Sequence, residues 1–594
     1  MWKHITTKEG VGHKSPDYLL STPGVVENLS LSFHNSHTMH QIINTIPSHS
    51  LWHTAYLSFP DNPEEQHMVQ YRGPLEAICT LLGNPAHAET IIYKPCKVFS
   101  DESKENRIYS EMWMGKWWHA LQEQLPEGSV VTLVIIATDK TQLTKFSGSK
   151  SAYPMYLTLG NIPRAIRCKP SQQACILVGY LSMDKISNSK LSKKEKMSRI
   201  QCLFHDSMCT ILEHLKEAGH TRMDMVCGDG KVQRIHPILA CYMADYLEQC
   251  LVTCVKYGTC PKCQSPVSEL GSNTPGELHT QAWTMGVIKD AKAKSHNLHK
   301  FHSLCQSKGV SGMVQHPFWE GFPYFNIHLS MTPNNGWSEL SQISDRERKE
   351  MAHILLGCLV GKVLRRVILA YHSLLDFIYL AQYPTHDDHT LGYLQDALDV
   401  SHKHKAVLIE LGVRDHFNIP KIHSLTHYIN SIHMFGAMDN YNTEAFECLH
   451  INFAKNAWRT TNKRDELPQM ASWLDRYENV LGKTPNPCET NPWPHISISK
   501  RPHHYGQSLQ DIMESPCCPG LIQDIKNYLN QLQRRAIGEG LGYNRLEMMQ
   551  LPFEKLDVYH GFKFVLEELG EDAVDDCGPN DWVRACPKTR GPHG

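Results

Sequence analysis

Ser129-Val-Val-Thr-Leu-Val-Ile-Ile-Ala-Thr-Asp139 is the stretch that decides the fold class. Residues 130–137 are almost wholly apolar and rich in β-branched side chains. A run this short and this apolar reads as a strand buried on both faces. It stops at Thr138-Asp139, which puts a carboxylate at a strand end, held by the backbone but open at the loop edge. Working outward, Tyr153 to Leu159, with the turn Gly160-Asn161 behind it, and Ala174 to Leu181 read as a second and third strand. A lysine-rich loop from Lys185 to Arg199 leads into a helix expected from about Ile200 to Ala218. Two more strand-like runs follow, Met223 to Cys227 and Ile238 to Ala244, and the latter ends at Asp245. Three strands, a helix and then further strands is an α/β order.

Around this core the pattern changes. Residues 1–95 read as a mixed N-terminal extension with a short helix from Pro74 to Leu82. Tyr109 to Leu121 is a Trp-rich helical stretch, read as aromatic core in preference to a platform for stacking bases. Residues 246–420 are mostly helix and loop. They include a helix over Glu350–Leu380 with Ile354, Leu355, Leu359, Leu364, Ile368, Leu375 and Ile378 as core candidates. Another helix is expected from Thr443 to Thr460. Beyond Gly482 the rise in Pro and His reads as a linker to a C-terminal extension. The organisation expected is therefore 1–95, a core begun by 96–245, a helical insertion over 246–420, closing helices over 421–482, and an extension over 483–594.

The 594 residues balance 59 Lys+Arg against 61 Asp+Glu, so no basic arm or acidic tail dominates the chain. With 41% hydrophobic and 20% charged residues, the composition is that of a globular protein and excludes wholesale disorder. The most apolar stretch, Met351 to Tyr383, is broken by Lys362, Arg365 and Arg366, which argues against a membrane span. The N-terminal residues show no apolar segment of the secretory type. The 20 cysteines are too dispersed for a disulfide scaffold, so a close pair reads first as a metal or redox pair.

Three groups of residues could carry chemistry. Asp139 and Asp245, each at a strand end, could together hold a hard divalent cation. Asp229, in Gly228-Asp-Gly230, competes with Asp245, although it reads first as a hairpin turn. Glu444 and Glu447 lie three apart on the helix that starts near Thr443, with Lys455 and Arg459 within about 60° of Glu444 on the helical wheel. That stripe suits a polyanion beside a metal, or equally a solvated face. Cys260-Pro-Lys-Cys263 and His423-Ser-Leu-Thr-His427 offer the Cys2His2 donors of a tetrahedral zinc site, far apart in sequence. His386-Asp-Asp-His389 follows Pro384 and precedes a helix, so loop and capping duties are expected of it. Lys185, Lys190, Lys193, Lys194 and Lys196 form the main basic patch. No P-loop, G-x-S-x-G or G-x-G-x-x-G motif is present.

In order, these pieces are Ala137-Thr-Asp139-Lys-Thr-Gln, Gly228-Asp-Gly, Ala244-Asp245-Tyr-Leu-Glu-Gln, Cys260-Pro-Lys-Cys263, His423-Ser-Leu-Thr-His427 and Asp439-Asn-Tyr-Asn-Thr-Glu444-Ala-Phe-Glu447. With Ser151-Ala-Tyr-Pro-Met-Tyr-Leu-Thr-Leu-Gly-Asn-Ile-Pro163 and His316-Pro-Phe-Trp319, they closely resemble the Plavaka transposases of fungi, relatives of the CACTA-type cut-and-paste elements. The resemblance spans roughly residues 50–480. It implies an RNase H-like core with a DDE triad of Asp139, Asp245 and Glu444, interrupted by the helical insertion, with Glu447 as the second choice for the third acid. It also implies two catalytic Mg2+ or Mn2+ ions, and a structural Zn2+ on Cys260, Cys263, His423 and His427. Double-stranded DNA would be the partner, with Lys193, Lys194, Lys196, Lys455 and Arg459 as contacts, a homo-oligomer on DNA as the working form, and the nucleus as its location. The expected activity is strand cleavage and strand transfer at element ends. The alternative is a catalytically decayed or domesticated zinc-containing DNA-binding or chromatin protein of the same origin. Two departures stand out: Leu247 replaces the Pro of the family's Asp-Tyr-Pro-Glu, and the segment after Met331-Thr-Pro333 is shorter than in the family.

Overall fold

A computed structural model describes residues 31–46, 50–144, 150–184, 191–295, 297–332 and 345–481, with shorter stretches elsewhere. Lys185, Lys190 and the side chain of Glu444 lie outside the described residues. The chain divides into two compact units, Met1–Lys483 and Thr484–Gly594. The second contains strands His495–Ile498, Gly561–Val565 and Asp581–Arg584, joined in one antiparallel sheet.

The first unit is built on a seven-stranded mixed sheet. Its strands are β1 (Trp52–Phe59), β2 (Asn62–Arg72), β3 (Val130–Thr138), β4 (Pro154–Leu159), β5 (Cys175–Tyr180), β6 (Met223–Val226) and β7 (Val232–Met243), in the spatial order β1-β2-β5-β4-β3-β7-β6. Residues 52–72, within the stretch read as an N-terminal extension, thus supply two strands of this sheet. β3, β4 and β5 form an antiparallel meander, and β7 lies parallel to β3 with Ala137 opposite Met243. Between β5 and β7 the chain crosses over through helix α1 (Lys193–Thr221), whose start is fixed by a capping box between Ser192 and Glu195.

The apolar run in β3 is explained by cover on both sides. Val131, Leu133, Ile135 and Ala137 join one core with Trp117, Trp118 and the helices near residues 377–474. Val130, Val134 and Ile136 join a second core with Phe204, Met208, Ile211 and Leu215 of α1. Trp113, Trp117 and Trp118 are buried, so the Trp-rich stretch is core and offers no platform for a base. It is split at Gly115 into a short turn and the helix Lys116–Gln122, and a side chain at Gly115 would clash with the Met434 backbone.

The single helix expected over Glu350–Leu380 is two, Asp345–Leu359 and Arg365–Ala381. Gly361 at φ 75° ends the first. Ile354 and Leu364, read as core candidates, are exposed at 63% and 57%, whereas Leu375 is buried. His386-Asp-Asp-His389 serves as a cap: the Asp387 carboxylate accepts from Thr390 N at the start of helix Asp388–His404. Among the described residues no helix is long and apolar enough to cross a membrane.

A candidate acid centre and a Cys2His2 cluster

Because β3 and β7 run parallel, their C-terminal ends share one edge of the sheet, and Asp139 and Asp245 stand there one and two residues past the last strand residues. Neighbouring strands lie about 4.8 Å apart, so the two carboxylates project from adjacent positions. Asp245 is also the N-cap of helix α2 (Tyr246–Val252), its Oδ1 accepting from Glu248 N at 2.7 Å. Asp229 lies elsewhere. It sits in the turn between β6 and β7, before the start of the twelve-residue β7, and pairs with Lys231 at 3.1 Å. A strand of that length separates it from Asp245 by roughly 40 Å.

A further carboxylate approaches from helix α5 (Glu444–Leu449), and Arg167 helps to set the path into it. The guanidinium is fully enclosed and donates to the backbone carbonyl of Asn440 at 2.8 Å and to its side-chain Oδ1 at 2.9 Å. The Glu447 charge reaches the acid edge. The Asp139 carboxyl is pushed up to about 6, first by desolvation and then by the charges of Asp245 and Glu447, with Lys455 pulling it back. Lys455 and Arg459 follow α5, but the path is not one regular helix: a π-helical turn covers His450–Asn456. Its wider turns change the phase along the helix, so the wheel drawn at a regular α-helical pitch does not hold beyond residue 449. Within that turn His450 is buried, with Nδ1 3.8 Å from Asp139 Oδ2 and its ring stacked on Tyr156. Burial, with Lys455 behind it, drops the imidazole to about 4, so it is neutral at pH 7 and gives Asp139 no ion pair. Arg459 is exposed and donates to Asn456 Oδ1 at 2.8 Å.

One acid escaped the sequence reading. Glu248 is buried between the two aspartates' supports, hydrogen-bonded to the Thr138 hydroxyl and to Tyr153, while Thr138 Oγ1 also lies 2.7 Å from the Tyr242 hydroxyl. Burial holds this carboxyl well above the usual range, and the nearby charges of Asp245 and Asp139 push the same way. Burial thus disfavours its charged form, and its hydrogen bonds tie the residue before Asp139 to the helix that Asp245 caps. Its sequence signal, Asp245-x-x-Glu248, looks like an ordinary helix start. Because burial disfavours the charged carboxylate, Glu248→Gln is expected to change stability by less than about 1 kcal/mol. Glu248→Ala strands the Thr138 and Tyr153 hydroxyls and is expected to cost about 2–4 kcal/mol in urea unfolding.

Asp139, Asp245 and the Glu447 charge, with Lys455 beside them, gather negative charge at this edge, although among the described residues the Cys/His set alone brings three or more metal-ligand atoms within 4.8 Å of one another. A metal must displace the Asp139 proton, so affinity should fall as pH drops through about 6. Titration calorimetry with Mn2+ is expected to give about tenfold weaker binding at pH 5 than at pH 7.5.

The second assembly is the Cys/His cluster. Cys260, Cys263, His423 and His427 are all buried, with donor atoms within 4.8 Å of one another. Cys260 Sγ lies 3.3 Å from His427 Nε2, and Cys263 Sγ lies 3.1 Å from His423 Nε2. Tetrahedral bond lengths of ~2.3 Å to sulfur and ~2.0 Å to nitrogen imply ligand separations of this order, so the donor set fits Zn2+. Hydrogen bonds from Cys260 and then the two histidines hold the Cys263 thiol far below its ordinary range, while burial pushes Cys260 up. His423 sits in the short helix Pro420–Ser424 and His427 in the tight turn after it. Between the cysteines, Lys262 is buried and donates to Met331 O at 2.8 Å and Ser431 Oγ at 3.0 Å. His328 Nδ1 lies 2.9 Å from Pro261 O. The knuckle is thereby fastened both to the segment that bridges β7, at Tyr242 and Met331, and to the helix Tyr428–Phe435 that carries the chain toward α5.

Lys193, Lys194 and Lys196 stand on the first turns of α1, apart in sequence from Lys455 at the acid edge. Among known families, the model of the Plavaka transposase family fits residues 33–335, which contain Asp139, Asp245, Cys260 and Cys263 but neither the histidine pair nor Glu447. No curated protein matches the chain. Since that match covers half of the chain, the protein belongs to the Plavaka transposase family.

Proposed function

We propose that this chain is a DDE-type DNA transposase that cleaves element ends and transfers the strands to target DNA. The observation that carries the reading is the meeting of Asp139, Asp245 and the Glu447 charge at one sheet edge. The β3–β4–β5 meander, the α1 crossover and β7 returning parallel to β3 support an RNase H-like core. Residues 246–420 are then a zinc-braced insertion, and 421–482 the closing helices. The Coulombic reach of Glu447 to Asp139 supports it for the third position, with Glu444 the competing acid on the same helix. Two Mg2+ or Mn2+ ions on the triad would polarise a water or a DNA 3′-OH and stabilise the leaving oxygen. Within the protein, Asp139 loses its proton to solvent and would offer the carboxylate to a cation, Lys455 offers its charge to a phosphate at that edge, and Glu248 keeps both aspartate supports in register. A Zn2+ on the Cys2His2 cluster would hold the insertion against the core. DNA as substrate implies action in the nucleus, with the chain assembling as a homo-oligomer on DNA.

The test is incubation of labelled element-end DNA with Mn2+ and the full chain, in parallel with Glu444→Gln and Glu447→Gln. Metal-dependent nicks and joined products, lost in Glu447→Gln and kept in Glu444→Gln, are expected. Joined products that survive both substitutions would remove the third acid from the proposal, and nicking without joining would reduce it to a nuclease.

A further inference from the structure

Residues 281–310 carry Lys289, Lys292, Lys294, Lys300 and Lys308 against a single acid, Asp290, in a chain of net charge −2. They fold as a hairpin of helix α3 (Gln281–Lys294) and helix α4 (Leu298–Ser307). Ile288, Ala291, Phe301, Cys305 and Val310 bury themselves in a small core between the two helices. All five lysines are exposed, and among the described residues none of them forms an ion pair. Lys292 donates to Gln315 Oε1 at 3.1 Å, a neutral partner that leaves its charge unbalanced.

The hairpin is not isolated. The Lys194 charge reaches the buried His302 ring of α4. Ser198 Oγ donates to Met313 O at 2.9 Å, which fixes the start of α1 against the chain leaving α4. The basic first turn of α1 is therefore packed beside the lysine-bearing hairpin. The same hairpin is anchored close to the acid edge. Val255 bridges Val310, and Lys256 N donates to Gly309 O at 2.8 Å, just beyond the far end of α2, whose N-cap is Asp245. A helix of α2's length spans only about 10 Å.

Surplus cations without counter-ions favour a polyanion. Lysine side chains, unlike guanidinium forks, act as flexible point charges and suit phosphates read without sequence preference. A helix as long as α3 extends about 20 Å, enough to pass many phosphates at one charge per ~1.7 Å of duplex. We propose that the α3–α4 hairpin, together with the first turn of α1, grips the phosphate backbone of duplex DNA independently of sequence and holds it alongside the Asp139–Asp245 edge. This rests on the transposase reading and assigns Lys292, Lys294 and Lys300 to DNA beside Lys193, Lys194 and Lys196.

The experiment is fluorescence anisotropy of the full zinc-loaded chain on a random-sequence duplex between 50 and 200 mM KCl without divalent cation. Lys292→Ala/Lys294→Ala/Lys300→Ala is compared with a control that removes three exposed lysines elsewhere, Lys94→Ala/Lys97→Ala/Lys403→Ala. Each lost phosphate contact lowers the slope of log K against log salt by about 0.9, so the hairpin variant should lose about 2–3 units and the control almost none. Equal slopes for wild type and hairpin variant, or equal losses in variant and control, overturn the proposal. Should the triple variant melt early, Lys294→Gln/Lys300→Gln makes the same comparison with an expected loss of about 2 units. Wild-type chain that fails to bind duplex at all overturns both this surface and the transposase reading. Wild-type binding with an unaltered variant slope overturns the surface alone.

Discussion

Asp245→Asn is expected to abolish metal-dependent cleavage, on the order of a thousandfold or more, while leaving the fold intact. A bound cation contributes several kcal/mol of charge stabilisation in such a reaction, and each 1.36 kcal/mol is a factor of ten. The substitution isolates that charge because Asn caps a helix as well as Asp, so the bond from Glu248 N is kept. It has a second signature. The Asp245 charge is the largest electrostatic contributor to the raised Asp139 carboxyl. Removing it lets Asp139 ionise at lower pH, so the midpoint of residual Mn2+ binding should move below 6 as the affinity weakens. Unimpaired cleavage by Asp245→Asn would sink the two-aspartate site. A loss of activity with a collapsed melting profile would instead point to Asp245 as a cap, and circular dichroism separates the two.

Cys260→Ser is expected to remove one equivalent of zinc per chain, read by atomic absorption, and to lower stability by several kcal/mol or more. The estimate follows from the ~10–16 kcal/mol that structural zinc binding contributes in small fingers, reduced because this cluster sits in a larger framework. Without the metal, four buried donors lose their common partner, and the buried Lys262 and His328 between them lose the geometry that satisfies them. The damage should be regional. Pro261, Met331 and Ser431 tie the knuckle to β7 and to the helix leading toward α5, so hydrogen exchange should rise over residues 255–280 and 420–450 before it rises in β3 and β4. A chelator should reproduce the pattern in the wild-type chain. Full-length protein purified without zinc yet melting as the loaded form does would show that the four residues pack without a metal.

What could be read directly from the chain was governed by local rules. The run ending at Thr138 reads as a doubly covered strand because it crowds mostly β-branched side chains into nine residues, and the structure makes it one. Pro74–Leu82 and the Asp387 cap follow from short-range capping chemistry, and the structure places both as expected. Where the reading erred, the cause lay in one residue or beyond the local window. Gly361, at positive φ, splits a helix whose apolar pattern runs straight through it. The π-helical turn at His450–Asn456 breaks a phase assumed constant. β1 and β2 join the sheet through β5, more than a hundred residues on in the chain, and the fully buried Arg72 fastens β2 to Asp475 and Glu478, each at 2.7 Å.

The same division runs through the candidate site. Residue order and spacing alone picked out the strand-end aspartates, the C-x2-C and H-x3-H pairs and the two glutamates, and through the resemblance they pointed to the family. The tertiary structure decided which of them meet. Parallel pairing of β3 with β7 brings Asp139 and Asp245 to one edge and leaves Asp229 at the other end of the strand. Packing of the insertion closes the gap between Cys260 and His427, which no finger-like spacing could announce. Folding also turned Glu248 from an apparent helix-start acid into a buried brace whose charged form is disfavoured. Sequence records which groups are available and how the backbone near them bends. Long-range pairing and burial set how close they come and which proton each one keeps, because dielectric and distance are properties of the folded chain.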